Sequence, residues 1–252
     1  MSIETIERPG VTLPPDLRDQ LRAQILALNL RLSDQPAFVA NWHARIGTFL
    51  ETTDVLDLAW RGDELVGHYG VRRVDVDGVV VSYIDSFTVA PELQGGGLGN
   101  RLAMRSNLRA VLGSRGRDCY HVSRTSNPHV AAGVWQAVLS PEHFYPSFDP
   151  ERPSSPALVH MATRLAETLW PDKVLVPETG VLIGAYGGDF IPVRMTRHAG
   201  VARHFEAHVD RARGDAIVQI VRFAPGMYGR LATYGAEQVM RVVKRSAGRP
   251  RP

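Results

Sequence analysis

The sequence predicts a layered α+β domain, and three observations carry that prediction. Two stretches with apolar residues at helical spacing come first, from Pro14 and from Gln35. Three runs rich in β-branched and aromatic residues follow between Asp54 and Val89, joined by short turn signals that make neighbouring strands antiparallel. The last run leads through a glycine-rich turn into another helix. Helices packed on such a sheet bury both kinds of apolar face at once.

Each element has its own local reason. From Pro14 to about Leu32, Leu17, Leu21, Ile25, Leu28 and Leu32 form a helical stripe, and Pro14-Pro15 stands where the missing proline N–H costs a helix nothing. A second helix is predicted from about Gln35 to Glu51; its Trp42, His43 and Arg45 either shape a ligand pocket or simply pack and solvate the helix. Strands follow at Asp54 to Trp60 and Glu64 to Val74, joined by Arg61-Gly62-Asp63, and Asp77-Gly78 signals a tight hairpin into a third strand, Val79 to Val89. Side-chain alternation puts His68 and Tyr69 on opposite faces. It also puts Tyr83, Asp85 and Phe87 on one face of the third strand, with Ile84, Ser86 and Thr88 on the other.

Pro91 ends that strand, and Gln94 to Gly99 supplies four glycines, so that main-chain amides can approach a ligand with no Cβ in the way. Leu98, Leu102 and Leu108 then continue at helical spacing. Unpaired N–H groups at a helix start, backed by the helix dipole, suit a phosphate or pyrophosphate. The nucleoside-triphosphate loop is excluded, because Gly99 is followed by Asn100 and Arg101 rather than by Lys and Ser or Thr. The dinucleotide fingerprint fits poorly: its third glycine falls on Leu102, and Asp118 begins a strand instead of ending one. A nucleotide-dependent oxidoreductase is therefore the weaker alternative.

Further on, Arg117 to Arg124 reads as a strand in which Cys119 is an ordinary buried thiol. Ser126-Asn127-Pro128 is a capped helix start. FDPERPSSP is a turn-rich linker, Ala157 to Trp170 a helix, Lys173 to Tyr186 one or two strands, Ala199 to Arg211 a helix and Asp215 to Phe223 a closing strand. Gly184 to Gly188 is a second glycine cluster with no helix pattern behind it, which predicts a tight turn. His204 and His208 have a spacing that can chelate zinc, but no third ligand stands out.

The six residues Gln94-Gly95-Gly96-Gly97-Leu98-Gly99 resemble the (Arg/Gln)-x-x-Gly-x-(Gly/Ala) signature of the GCN5-related N-acetyltransferase (GNAT) superfamily, and TVAPE resembles its lead-in. The order of elements over roughly residues 50 to 140 is similar as well, whereas the last hundred residues match poorly. The resemblance implies a mixed, mostly antiparallel central sheet flanked by helices, with an enlarged C-terminal half. It implies one domain over 1–240, with a cofactor-binding core about 52–140, a divergent part about 150–225 and a basic tail at 241–252.

It also implies transfer of an acetyl or other acyl group from acyl-coenzyme A to an amino group, by direct attack. The pantetheine arm would pair with the strand at Phe87, Thr88 and Val89, the Phe87 N–H facing the thioester carbonyl. Gln94, Gly95, Gly96, Gly97, Leu98, Gly99 and Asn100 would hold the pyrophosphate, and Asn127 would either touch the cofactor or only cap its helix. The proton-removing residue of relatives maps to Tyr83 or Asp85. Asp85 is the better base by type, yet an unperturbed aspartate at ~3.9 is weak against an alkyl ammonium at ~10.4. It is either that base or an ion-paired residue that positions the acceptor. Relatives carry a Tyr about eight residues past the Asn, where this chain has Trp135; Tyr145 is the candidate replacement for protonating the thiolate, which could also leave unaided. The missing Tyr keeps a second alternative open, a coenzyme A-binding sensor without turnover.

With 252 residues the chain can bury about three-quarters of its unfolded surface. No apolar run approaches the ~20 residues that cross a bilayer, MSIETIERPG lacks signal-peptide features, and Cys119 has no partner for a disulfide, which together predict a cytoplasmic protein without a membrane role. The net charge is +3, but five basic residues and no acids lie in 241–252. The body keeps 24 basic against 26 acidic residues, a net −2 that argues against nucleic acid and for a cationic acceptor. A small-molecule amine is the expected partner, with a homodimer left open.

Overall fold

The computed structural model describes residues 1–138, 142–191 and 195–224. The predicted basic tail lies outside them. One mixed sheet runs through the described residues in the order β1-β2-β3-β4-β5-β9-β8-β7, with the two-residue β6 also pairing β9. The strands are β1 (Ser2–Glu7), β2 (Val55–Arg61), β3 (Glu64–Val76), β4 (Val79–Val89), β5 (Cys119–Thr125), β6 (Phe144–Tyr145), β7 (Val174–Val176), β8 (Val181–Ile183) and β9 (Ala216–Phe223). All neighbours are antiparallel except β4 and β5. That is the sheet expected from the sequence.

Helices cover both faces. α2 (Pro15–Leu30), α3 (Pro36–Thr52) and α6 (Pro156–Leu169) form one layer, and α4 (Leu98–Gly113), α5 (Pro128–Val138) and α7 (Ala199–His208) form the other; α1 (Pro9–Thr12) is a single turn. The faces follow from alternation along β3: Gly70 and His68 pack on Phe49 of α3, whereas Tyr69 reaches Ser106 of α4. The predicted helices and strands from Pro14 to Val89 stand within two residues of their expected ends. Asp77 and Gly78 have the positive φ values, 51° and 82°, of a tight hairpin turn.

Sequence reasoning missed β1, although Ile3, Thr5 and Ile6 are suitable strand residues. What holds it is long-range: Thr5 donates its hydroxyl to the buried Asp57 carboxylate at 2.5 Å, and Arg109 of α4 clamps both Asp57 oxygens at 3.0 and 3.1 Å. A carboxylate so deep in the sheet is tolerable only with such partners.

The larger correction concerns β4. Gly70 pairs with Ser86 and Val71 with Ile84, so Asp85 is an extra residue, a β-bulge. The bulge breaks the alternation beyond it. Tyr83 packs on Trp170 at the end of α6, with ring centroids 5.6 Å apart, while Phe87 lies on the α4 face against Tyr69 at 5.1 Å. Tyr83, Asp85 and Phe87 therefore do not share a face.

Candidate active site

β4 and β5 pair only at Val81–Tyr120, Ser82–His121 and Tyr83–Val122. Beyond Tyr83 the two strands part and leave a wedge-shaped gap between Ile84–Val89 and Ser123–Thr125. On the other side of β4 the ladder with β3 continues to Val89. The Ala90 N–H donates to the Val66 carbonyl of β3 at 2.9 Å, so by alternation the main-chain groups of Thr88 and Ser86 also turn to β3. Those of Phe87 and Val89 turn into the gap. Consistently, the Val89 carbonyl is taken from that side by Gln94, whose Nε2 donates to it at 3.1 Å.

Thr88 is thereby corrected. Its main chain belongs to the β3 ladder, and its hydroxyl donates to Asn29 Oδ1 at 2.5 Å in the buried network Thr88, Asn29, His68. It has nothing left to offer the gap.

The glycine turn stands at the open end. Gly95 and Gly97 have φ values of 79° and 83°, in the left-handed region where a side chain is strained, and Gly97 is the N-cap of α4. The first ladder bond of α4 runs from the Arg101 N–H to the Gly97 carbonyl at 3.1 Å, and no side chain caps the helix. The N–H groups of Leu98, Gly99 and Asn100 therefore precede the ladder and have no intrahelical acceptor. Gly95, Gly96 and Asn100 are exposed, while the Leu98 side chain is buried in the core, so Leu98 offers only its main chain. Gly99 is small for a second reason: a Cβ there would stand 3.0 Å from the Phe87 ring.

Asn127 caps α5, its Oδ1 accepting from the His129 N–H at 2.9 Å, which spends the oxygen on the cap reading. Trp135 packs on Phe144 and Phe148 in the core of the α5–α7 side, at ring distances of 5.1 and 5.9 Å. The position where relatives were expected to carry a Tyr thus points away from the gap. Tyr145 does not replace it: the residue is buried on β6, three strand spacings or about 14 Å from Tyr83. Its hydroxyl donates to the Pro177 carbonyl at 2.9 Å, and burial pushes its pKa up. Tyr145 is withdrawn as a general acid. Tyr83 is buried too, and burial raises its hydroxyl to about 12, which makes it a poor base at neutral pH.

Asp85 faces the other helix layer, where Arg45 Nη2 donates to its carboxylate at 2.8 Å and also lies 3.3 Å from its main-chain oxygen. Arg45 is stacked over Trp42, 5.1 Å from the ring centroid. This is the ion-paired arrangement left open from the sequence. Opposite, at the free end of β5, Arg124 lies between two aromatic faces, 5.4 Å from the Trp170 centroid and 4.9 Å from that of Tyr186. Tyr186 donates its hydroxyl to the Arg124 carbonyl at 3.1 Å and stacks on Phe190.

Sequence reasoning found neither Arg124 nor Tyr186. The second glycine cluster is the tight turn expected, with positive φ at Gly184, Gly187 and Gly188, but it also delivers Tyr186 to the cleft. A signal for Arg124 existed: it falls in phase with Tyr120 and Val122, a charge on the apolar face of a strand. Elsewhere, Cys119 is buried with its thiol raised to about 11, and His204 donates Nε2 to the Thr179 carbonyl at 2.8 Å while packing on Phe148. No described helix is long and apolar enough to cross a membrane.

A parted strand pair beside an uncapped, glycine-opened helix has the geometry to receive an extended ligand with an anionic end. Residues 23–107, about a third of the chain from α2 into α4, match the family model described as Acetyltransferase (GNAT) family. No curated protein matches the chain. Similar solved structures include an IAA acetyltransferase from Bacillus cereus, with 14% identity, a TM-score of 0.43 and coverage of 88% of this chain and all of that one. The ribosomal-protein-S18-alanine N-acetyltransferase of Escherichia coli has 12% identity and a TM-score of 0.42, covering 88% and 95%. A GNAT family acetyltransferase from Elizabethkingia anophelis with acetyl-CoA bound has 14% identity and a TM-score of 0.39, covering 88% and 98%. Likeness of that degree carries no residue role across.

Proposed function

We propose that this protein is an acyl-coenzyme A-dependent N-acyltransferase, with acetyl as the default acyl group and an amine as acceptor. The parting of β4 from β5 after the Tyr83–Val122 pair is the observation that carries the reading. A strand edge with Phe87 and Val89 main-chain groups turned into a gap can accept an extended amide-bearing chain as an added strand. The N–H groups at the start of α4 suit the pyrophosphate of the same ligand, and the match of residues 23–107 to the GNAT family model supports both.

Acetyl-coenzyme A supplies an activated thioester; the chain supplies alignment and charge stabilisation. The Phe87 N–H is the donor positioned for the carbonyl oxygen as negative charge gathers on it, a contribution worth about 3 kcal/mol in comparable sites. Asp85 is a positioning carboxylate in this reading, because accepting a proton would mean giving up its pair with Arg45. The amine proton leaves to water. With Trp135 and Tyr145 both in the core, the thiol leaves as thiolate, a tolerable leaving group with a pKa near ~8.5.

The deciding experiment is a thermal-shift and calorimetric titration with acetyl-coenzyme A, coenzyme A, NAD and ATP, beside Gly97→Glu. Stabilisation by coenzyme A species alone is expected, about 2.7 kcal/mol at a hundred times the dissociation constant, and its loss in the variant. A response to NAD or ATP alone would overturn the reading in favour of nucleotide-dependent chemistry. Asp85→Asn separates the two roles of that residue: an equal loss of turnover at every pH fits positioning, whereas a loss confined to neutral pH makes it the base.

A further inference from the structure

We propose that the acceptor is an amine that also bears a carboxylate, an amino acid or a close analogue, and that Arg124 receives that carboxylate. The inference rests on the acyltransferase reading and names the substrate class of the same cleft.

Arg124 and Asp85 each lie just past the last β4–β5 pair, on opposite walls of the gap and on the same face of the sheet. The Arg124 guanidinium is partly buried and held flat between Trp170 and Tyr186, which fixes its plane. Among the described residues its N–H donors meet only neutral acceptors, the Ala185 carbonyl at a long 3.4 Å and the Tyr186 hydroxyl. No carboxylate among the described residues lies within ion-pair distance of it, because Asp85 is paired to Arg45. A half-desolvated guanidinium with no anionic partner is an unfavourable state unless a planar anion completes it.

Charge decides which anion. Among the described residues the two guanidinium groups of Arg45 and Arg124 stand here against the one carboxylate of Asp85, a surplus of one positive charge. One carboxylate cancels that surplus, whereas a phosphate dianion would overshoot it. An amino acid whose amine is unprotonated for attack carries that single negative charge, its amine toward Asp85 and its carboxylate on Arg124. The local field is thus opposite in sign to the chain's net −2 body, and the cationic acceptor expected from composition gives way to one that bears a carboxylate. The reaction is unchanged: an N–C bond forms to the acyl carbon, its C–S bond breaks, and one amine proton is released.

The test measures thiol release from acetyl-coenzyme A by the full chain with free L-amino acids, their primary amides, the matching decarboxylated amines, and phosphoethanolamine. At least one free amino acid should exceed its amide and amine in kcat/KM by tenfold or more. Arg124→Gln should raise KM for that acid at least tenfold, leave KM for acetyl-coenzyme A unchanged and erase the preference, and Arg124→Lys should restore part of it. Amides or amines that react as well as the acids would overturn the proposal, as would a preference for phosphoethanolamine. Equal losses on acid and amide in Arg124→Gln would reduce the residue to structure. If acetyl-coenzyme A binds yet no amino acid is acetylated, this proposal falls and the acyltransferase reading stands; if acetyl-coenzyme A does not bind, that reading has failed first.

Discussion

The two faces of the sheet at the parting of β4 and β5 are built from different materials. On the α4 face the surface is mostly main chain: a glycine turn with open space at Gly95, uncapped N–H groups, and an exposed Phe87. On the α3 and α6 face it is side chains in a fixed network, with Asp85, Arg45, Arg124 and Tyr186 braced by aromatic rings. Both faces use glycine, for different reasons. A Cβ at Gly95 would stand in open space, whereas a Cβ at Gly214 would run into the backbone of Gly187 and Gly188. Main-chain recognition tolerates many sequences and side-chain recognition does not, which fits a general donor on one face and a specific acceptor on the other.

The largest expected effect that probes this contrast is Gly214→Ala. Its φ is 81°, and a Cβ would stand 2.3 Å from the Gly188 nitrogen, so left-handed strain adds to a backbone clash. A loss of about 3 kcal/mol is expected in the urea midpoint, and a loss under about 1 would show the acceptor face to be less tightly built than described.

Acid should cost each face separately, because each buries a histidine: His68 beside Trp42 and Phe49, His121 beside Phe223. Burial lowers His68 to about 3 and His121 to about 4. The folded values lie below the unfolded ~6.5, so below pH 6.5 the unfolded chain takes up protons that the folded one refuses. Stability is full above about 6.5 and falls as pH drops, over 6.5 to about 4 for His121 and 6.5 to about 3 for His68. Each should cost about 2 kcal/mol at pH 5. Urea midpoints against pH for His68→Gln and His121→Gln should each flatten part of the slope, and an unchanged slope in one variant would clear that face.

Gly95→Ala is the counterpart to Gly214→Ala. With φ at 79° but nothing within 4 Å of its Cβ, it should cost about 1 kcal/mol, with the larger effect on acetyl-coenzyme A affinity by calorimetry. Smallest on turnover is Tyr145→Phe. It should lose about 1 kcal/mol of stability with the bond to Pro177 and leave kcat unchanged, whereas a drop in kcat would return Tyr145 to the active site.

Much of the fold was legible because its signals are local. A leucine stripe, a Pro-Pro start, an Asp-Gly hairpin and a glycine run before a helix each act within a few residues, so the elements from Pro14 to Asn107 could be placed by periodicity and turn chemistry. The glycine turn on the proposed donor side was legible for the same reason, since it depends on main chain and on glycine. The proposed acceptor side was not. One inserted residue at Asp85 reversed the alternation of everything after it on β4, and no local pattern marks a bulge. Tyr145 carried functional chemistry by type alone, and only packing decided that it, like Trp135, belongs to the core.

By itself, then, the sequence determined the order of helices and strands, the glycine-opened start of α4 at Gln94 to Gly99, and its likeness to the GNAT signature. The tertiary structure decided where β4 and β5 part, that Asp85 is held by Arg45, and that Arg124 and Tyr186 meet from strands and turns 62 positions apart. The division has a physical cause: hydrogen-bond ladders and helix caps are satisfied between near neighbours, while a charge in a cleft is matched by whatever the whole chain brings beside it.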